Sequence, residues 1–274
     1  MATELCRVAH ADRSGMPAIA LAGSVLLAAT VAGCSSGGGS SPPFGSTHAS
    51  GSASTSASAS ATTSATGSDG TAGSTGIPTA AWITPSAIPL YTAYYWPAPS
   101  GVAKAAKAPE LSAVQDCQLT LSSADQSELG AFPAAQADIS PTIGASGGQD
   151  DWSAQETILA TNDTSSGDIQ GIYNLYTDLV ADLGKCSNTA SGAKVSVAVD
   201  QGSGYAATIT IPTSTGSTLT WHEYLAAPYG YLVELSVYVA PYSGDKPSAS
   251  WDGSSASTVL SALQSGPCAV TKLC

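Results

Sequence analysis

Few side chains in this sequence are equipped for acid–base, nucleophilic or metal chemistry. Beyond residue 34 there are two histidines, His48 and His222, and no arginine. His222-Glu223-Tyr224 is the densest group, an imidazole, a carboxyl and a phenol in three successive residues. A general base needs a titratable group within hydrogen-bond reach of a substrate proton; a half-exposed strand histidine beside Tyr224 is the plainer reading of His222. Gly144-Ala145-Ser146-Gly147-Gly148 fits the G-x-S-x-G spacing of a nucleophile elbow, but that elbow joins a strand to a helix, whereas here a glycine-rich loop precedes a strand. A hydrolase would have to draw on Glu223, Ser146, Asp150 or Asp151. The cysteine spacings are not those of a zinc site, and one ordered histidine cannot build a His-rich metal site, so no metal or cofactor is expected. Tyr91, Tyr94, Tyr95 and Trp96 form an aromatic run. They are either a stacking platform for a ligand or the rings that pin a loop to the core.

Charge narrows the partners. The 274 residues carry 8 Lys+Arg against 20 Asp+Glu, and both arginines, Arg7 and Arg13, precede residue 34. A domain without a guanidinium fork is poorly equipped to neutralise phosphates or clamp carboxylates, which argues against nucleic acid and other polyanions. Neutral glycans or apolar small molecules suit the remaining rings and hydroxyls.

The chain begins with a weakly basic stretch, an apolar segment from Pro17 to about Ala32, and small residues before Cys34. This is the pattern of an export signal, and the segment is short for a membrane span. Val31-Ala32-Gly33-Cys34 resembles the bacterial lipobox, which implies cleavage before Cys34 and lipidation of that residue. Ser35 to Gly76, with runs such as SASTSASASATTSATGS, shows no hydrophobic period and cannot offset its ordering entropy. It reads as a tether with a root-mean-square reach of roughly 35 Å. The expected organisation is a signal peptide over 1–33, a lipidated cysteine and tether over 34–76, and a folded domain over 77–274. Residues 34 onward would then lie outside the cell, held to the outer face of the membrane through Cys34.

Any chemistry in the domain depends on the elements that carry it. Pro85, Pro89, Pro97 and Pro99 forbid a long helix in the first third. A short helix fits Glu128 to Phe132, followed by a loop through GASGGQDD and a strand from Trp152 to Thr161. From Asp168 to Leu183, Ile169, Ile172, Tyr173, Tyr176, Leu179, Val180 and Leu183 recur at helical steps, with Ser165 or Ser166 as cap and Gly184 as stop. Four alternating runs follow: Val195 to Val199, Tyr205 to Ile211, Leu219 to Leu225, and Tyr231 to Val239, the last two joined at Ala227-Pro228-Tyr229-Gly230. Short turns between alternating runs predict an antiparallel meander with one covered face. A last helix is expected over about Ser255 to Leu263. The sum is a single α+β domain, an antiparallel sheet with helices packed on one face. Glu223 is in register with Leu219, Trp221 and Leu225, so a regular strand would turn a carboxyl toward the covered face; a bulge or an exposed strand end near the turn is the simpler expectation.

The Trp152 strand, the helix ending DLVADLGKC, the paired strands, TWHEYLAAPYGYLVELSVYVAP and a terminal helix before a cysteine resemble the extracellular sensor domain of the mycobacterial serine/threonine kinase PknH and its actinobacterial lipoprotein relatives. The resemblance spans about Ala81 to Cys274. It implies an α+β domain with a cleft, two disulfides and ligand binding outside the cell, and it supplies no catalytic residues. Cys117, Cys186, Cys268 and Cys274 admit three pairings. The resemblance favours Cys117 with Cys186, leaving Cys268 with Cys274 to close a short terminal loop.

The functional expectation is a membrane-anchored lipoprotein with a non-enzymatic ligand-binding or sensor-like domain, its cleft bordered by Tyr91, Tyr94, Tyr95, Trp96, His222 and Tyr224. The alternatives are a secreted hydrolase using Glu223 or Ser146, and a wall-associated scaffold.

Overall fold

The computed structural model describes residues 75–142, 151–161, 165–241, 246–271 and 274. Cys34, the tether up to residue 74, Ser146 and Asp150 lie outside the described residues. Among the described residues no helix is long and apolar enough to cross a membrane.

The first third is irregular, as its prolines demand. Two 3-10 turns, Thr79–Ala81 and Pro85–Ala87, lead to two one-turn helices, α1 (Tyr91–Tyr94) and α2 (Pro99–Val102). The short strand β1 (Lys104–Ala106), α3 (Ser112–Asp116), α4 (Ser123–Ala131) and β2 (Ala134–Ile139) follow. Next come β3 (Ser153–Ala160), α5 (Ser166–Leu183), α6 (Cys186–Thr189), the strands β4 (Lys194–Gln201), β5 (Gly204–Pro212), β6 (Thr218–Ala226) and β7 (Tyr231–Val239), and α7 (Ala256–Thr271).

The seven strands form one antiparallel sheet in the order β1-β2-β3-β7-β6-β5-β4. Hairpins fold β4 to β7 back on themselves until β7 lies against β3, so the latest strand pairs with one formed before α5. The α+β class and the antiparallel sheet agree with the sequence pattern. Helices, however, cover both faces and not one. α5 buries Ile172, Leu175, Leu179 and Leu183 against Leu159, Trp221, Leu225 and Leu232. On the opposite face α7 and the irregular segment bury Val259, Leu260, Leu263, Ile88 and Trp96 against Ile158, Val233, Leu235 and Val237. β7 is consequently buried along nearly its whole length, the condition under which a strand becomes apolar on both sides. Full burial of each such Leu, Ile or Val side chain stabilises the fold by about 1.5–3 kcal/mol.

Local chemistry sets the ends of α5. The Ser165 hydroxyl accepts from the Asp168 N–H, satisfying one free donor of the first turn, and Gly184 closes the helix. Two disulfides are present, Cys117–Cys186 and Cys268–Cys274. The first ties the end of α3 to the start of α6, 69 residues apart in sequence. In the chain-entropy account a loop of that size stabilises the fold by about 4 kcal/mol.

Candidate functional site

The aromatic run divides between core and surface. Leu90 and Tyr95, at the two ends of α1, both adopt left-handed backbone, φ 65° and 47°. Such conformations strain bulky residues and persist where packing holds them. Here Tyr94 and Trp96 supply the packing: they are 1% and 2% exposed, and the Trp96 indole donates to the Pro89 carbonyl at 2.7 Å. The Tyr94 hydroxyl donates to Asp151, whose carboxylate also accepts from the Ser248 hydroxyl and backbone N–H. Burial pushes the Asp151 carboxyl up, but the hydrogen bonds from Ser248, Tyr94 and Trp152 outweigh it and hold the group below its ordinary range. Asp151 therefore fastens the irregular segment to the stretch before α7. Tyr94 and Trp96 thus pin a loop and line neither cavity described below; Tyr91 and Tyr95 form a tilted pair on the outside, with centroids 5.7 Å apart and Tyr95 49% exposed.

His222 and Tyr224 share the α7 face of β6, as strand alternation requires. The His222 ring stacks on Trp251 with centroids 3.4 Å apart and planes 9° apart, and Trp152 lies 5.6 Å away. Its Nδ1 is 3.1 Å from the Thr208 hydroxyl on β5. Burial lowers the imidazole to about 4, with the Asp252 carboxylate pulling the other way, so the ring is neutral at pH 7. A chamber of about 210 Å³ lies between this ring, Tyr224, β5 and the stretch 251–256. The rings of Tyr91, Tyr94, Tyr95 and Trp96 are not part of its wall.

Glu223 corrects the simpler sequence expectation. β6 pairs without a break from Thr218 to Ala226 against β5, so no bulge or exposed end relieves Glu223, which is 1% exposed on the α5 face. Glu234, on β7, is buried beside it, and Glu156, on β3, is buried on the other face. Among the described residues no basic side chain forms an ion pair with them. Instead the two Glu234 oxygens accept the backbone N–H groups of Ser112 and Ala113, each at 3.0 Å, at the start of α3. Burial, then the Glu234 charge, pushes the Glu223 carboxyl well above its ordinary value; it holds its proton and donates to Glu234. Glu156 accepts from the Ile83 N–H at 3.0 Å, and burial raises it to about 8. None of the three lines either cavity described here. Burial on a two-faced sheet made them invisible in sequence, apart from the register of Glu223.

A larger cleft lies at the end of the sheet where the β6–β7 turn meets the first half of α5 and the C-terminal half of α7. Its volume is about 430 Å³, within the size range of small-molecule sites. Ile169 and Ile172 form the helical wall and Ala227 and Pro228 the turn, while Tyr173 and Tyr229, each 41% exposed, rim the opening. Gln264 donates to the Ser203 carbonyl and hydroxyl at 3.3 and 3.2 Å, and Cys268 and Cys274 complete the wall. Gly230 makes the turn fit: its φ is 74°, and a Cβ there would lie 2.9 Å from the Thr161 hydroxyl. The close approach lets the Gly230 carbonyl accept the Thr161 N–H at 2.9 Å, while Tyr229 stays half in solvent. The wall is drawn from four segments distant in sequence. The only sequence signal was a tyrosine at each rim position, and Tyr173 was read there as part of the buried stripe of α5.

No protein-family model matches the chain, and no curated protein is detectably similar to it.

Proposed function

We propose that this protein is an extracytoplasmic lipoprotein, anchored through a lipidated Cys34, whose domain binds a small neutral ligand in the cleft at the end of the sheet. The observation that carries the binding reading is the composition of that cleft. Its described walls combine aliphatic side chains, two half-exposed tyrosine rings, the amides of Gln170 and Gln264, the Ser203 hydroxyl and the disulfide-bonded Cys268 and Cys274, without a charged side chain. Such a surface gains from excluding water over apolar area and offers little to an anion or a cation. The lipobox-like residues and the tether support the anchor, and the likeness to the PknH-type sensor domain supports an extracellular binding role. A hydrolase built on Glu223 would require a carboxyl that the fold seals beneath α3 to meet substrate.

Two measurements test the proposal. Mass spectrometry of the membrane fraction should find a lipid-modified Cys34 as the first residue; an unmodified chain recovered mainly from the medium overturns the anchor. An environment-sensitive apolar dye should bind the purified protein, and binding should weaken by about tenfold, the effect of losing 1.4 kcal/mol of contact, in Tyr173→Ala with Tyr229→Ala. Dye affinity unchanged in that double variant, or ester or glycoside turnover abolished by Glu223→Gln in a folded protein, overturns the binding reading.

A further inference from the structure

The chamber beside Trp251 is lined by small apolar residues, an imidazole and three hydroxyl-bearing residues. Ala206 on β5 and Ala256 at the start of α7 leave the space open, and the register of β4 shifts between Val197 and Val199, putting Ala198 at a bulge against the same space. Its volume of about 210 Å³ equals that of roughly seven waters. The residues of its wall with polar side-chain groups are His222, Thr208, Tyr224 and Ser254, with the Trp251 indole beside them.

The His222 ring and the Thr208 and Tyr224 hydroxyls can each give or take a hydrogen bond, whereas Ser254, whose hydrogen goes to Asp252, is left as an acceptor. His222 shows how. If Nδ1 donates to the Thr208 oxygen, Nε2 is an acceptor; if the Thr208 hydroxyl donates to Nδ1, Nε2 carries the proton and donates. Nε2 has no partner among the described residues. Just outside the wall, the Asp252 carboxylate accepts from the Leu90 N–H at 2.9 Å and from the Ser254 hydroxyl at 2.6 Å. Those bonds hold its negative charge beside the chamber, and the charge is felt at both His222 and Tyr224. A set of switchable donors and acceptors beside a fixed negative charge matches a ligand whose own groups are switchable and uncharged, namely an alcohol. The alanines and the Trp251 ring supply the apolar contact that the C–H faces of a polyol require.

We propose that this chamber is a second binding site, one that takes a neutral polyol the size of a single sugar ring. It is separate from the cleft rimmed by Tyr173 and Tyr229 and does not depend on it.

The test uses the purified, ¹⁵N-labelled full chain. The His222 ring nitrogens are followed by NMR while D-glucose, D-galactose or D-arabinose is added to millimolar concentrations, with D-glucuronate and benzene as comparison ligands. At least one neutral sugar should give a saturable shift of Nε2. Glucuronate should bind about tenfold more weakly than its neutral counterpart, because its carboxylate faces Asp252. Ala206→Leu, which fills the chamber, should abolish the shift, whereas Tyr229→Ala should leave it intact. Should Ala206→Leu fail to fold, Ser254→Ala on the outer wall serves instead and should weaken binding several-fold in a protein that remains folded. The proposal is overturned if none of the neutral sugars shifts the ring saturably, if the shift survives the filling variant, if Ser254→Ala leaves it unaltered, or if benzene binds as well as the sugars.

Discussion

The paired carboxyls give the sharpest test of how this sheet tolerates buried acid. Glu223 and Glu234 differ by no atom, yet their roles are opposite: Glu234 is an acceptor on both oxygens, from Ser112 and Ala113, while Glu223 is the proton donor between the two. Gln in place of Glu234 keeps the volume but turns an NH₂ toward one of those two N–H groups. Burial raises Glu234 to about 7, so at pH 7 its carboxyl is partly ionised. Stranding one buried N–H costs about 1–3 kcal/mol and more where the lost acceptor is charged, so Glu234→Gln should destabilise by about 2–4 kcal/mol. Gln in place of Glu223 keeps a donor directed at Glu234 and removes a carboxyl that burial had already kept protonated. Its effect at pH 7 should be under about 1 kcal/mol.

Urea unfolding at pH 7, followed by tryptophan fluorescence, separates the two. With a slope of about 2 kcal/mol per molar urea, Glu234→Gln should lower the midpoint by roughly 1–2 M and Glu223→Gln by less than about 0.5 M. Equal shifts, or a larger one for Glu223→Gln, would show that the donor and acceptor have been assigned the wrong way round. Glu234→Leu extends the comparison. It removes the carboxylate altogether and strands both α3 donors, so its loss should be at least that of Glu234→Gln.

Glu156 yields a pH dependence with a definite sign. Its folded value, about 8, lies above the ordinary 4.5, so the stability associated with its proton is fully present below pH 4.5 and is lost as pH rises toward 8. At about 1.4 kcal/mol per unit the loss is on the order of 5 kcal/mol, and Glu156→Gln should flatten the decline between pH 5 and 8; a variant whose stability falls as steeply as the parent's contradicts the assignment. Gly266→Ala should lower the melting temperature by roughly 3–10 °C, because the new Cβ would sit 2.7 Å from the Ala81 carbonyl oxygen and 2.9 Å from that of Ala80. Since Gly→Ala ordinarily stabilises an exposed helix by about 1 kcal/mol, a rise in melting temperature would mean that α7 does not rest on those carbonyls.

What the sequence revealed tracks how locally each element is specified. α5 was legible because its period, the Ser165 cap and the Gly184 stop agree, and the β4–β7 meander because side chains alternate between named turns. β2 was missed and read as a loop. Ala134–Ile139 has one β-branched residue and is a strand because β1 and β3 flank it. α7 was expected to stop near Leu263 and runs to Thr271 through Pro267, held by the packing of Gly266 on the 79–81 turn. The second covered face was hidden for a related reason: its cover is partly the irregular, proline-rich segment, which carries no periodic signal at all. Of the expected cleft, His222 and Tyr224 do border a cavity, whereas Tyr94 and Trp96 turn inward to hold the segment down.

That double covering bears on function directly. Apart from the largely exposed edge strands β1 and β4, the sheet is covered on both sides and offers a ligand no face over its centre, so access there is through its ends and through gaps where the covering residues are small. The end cleft meets the first condition, because the β6–β7 turn reaches past α5 and α7 without either helix closing over it. The Trp251 chamber meets the second, where alanines and a bulged edge strand thin the cover. The acidic side chains most unusual for their burial, Glu156, Glu223 and Glu234, lie at neither kind of opening. Glu234 is matched to two backbone N–H groups and Glu156 to one, Glu223 to its neighbouring carboxyl, while one oxygen of Glu156 and one of Glu223 stay buried without a partner among the described residues. Their geometry is that of groups that set the position of α3 and of the irregular segment on the sheet. Substituting them should therefore change how firmly those segments dock, and change ligand affinity only as far as docking shapes the openings.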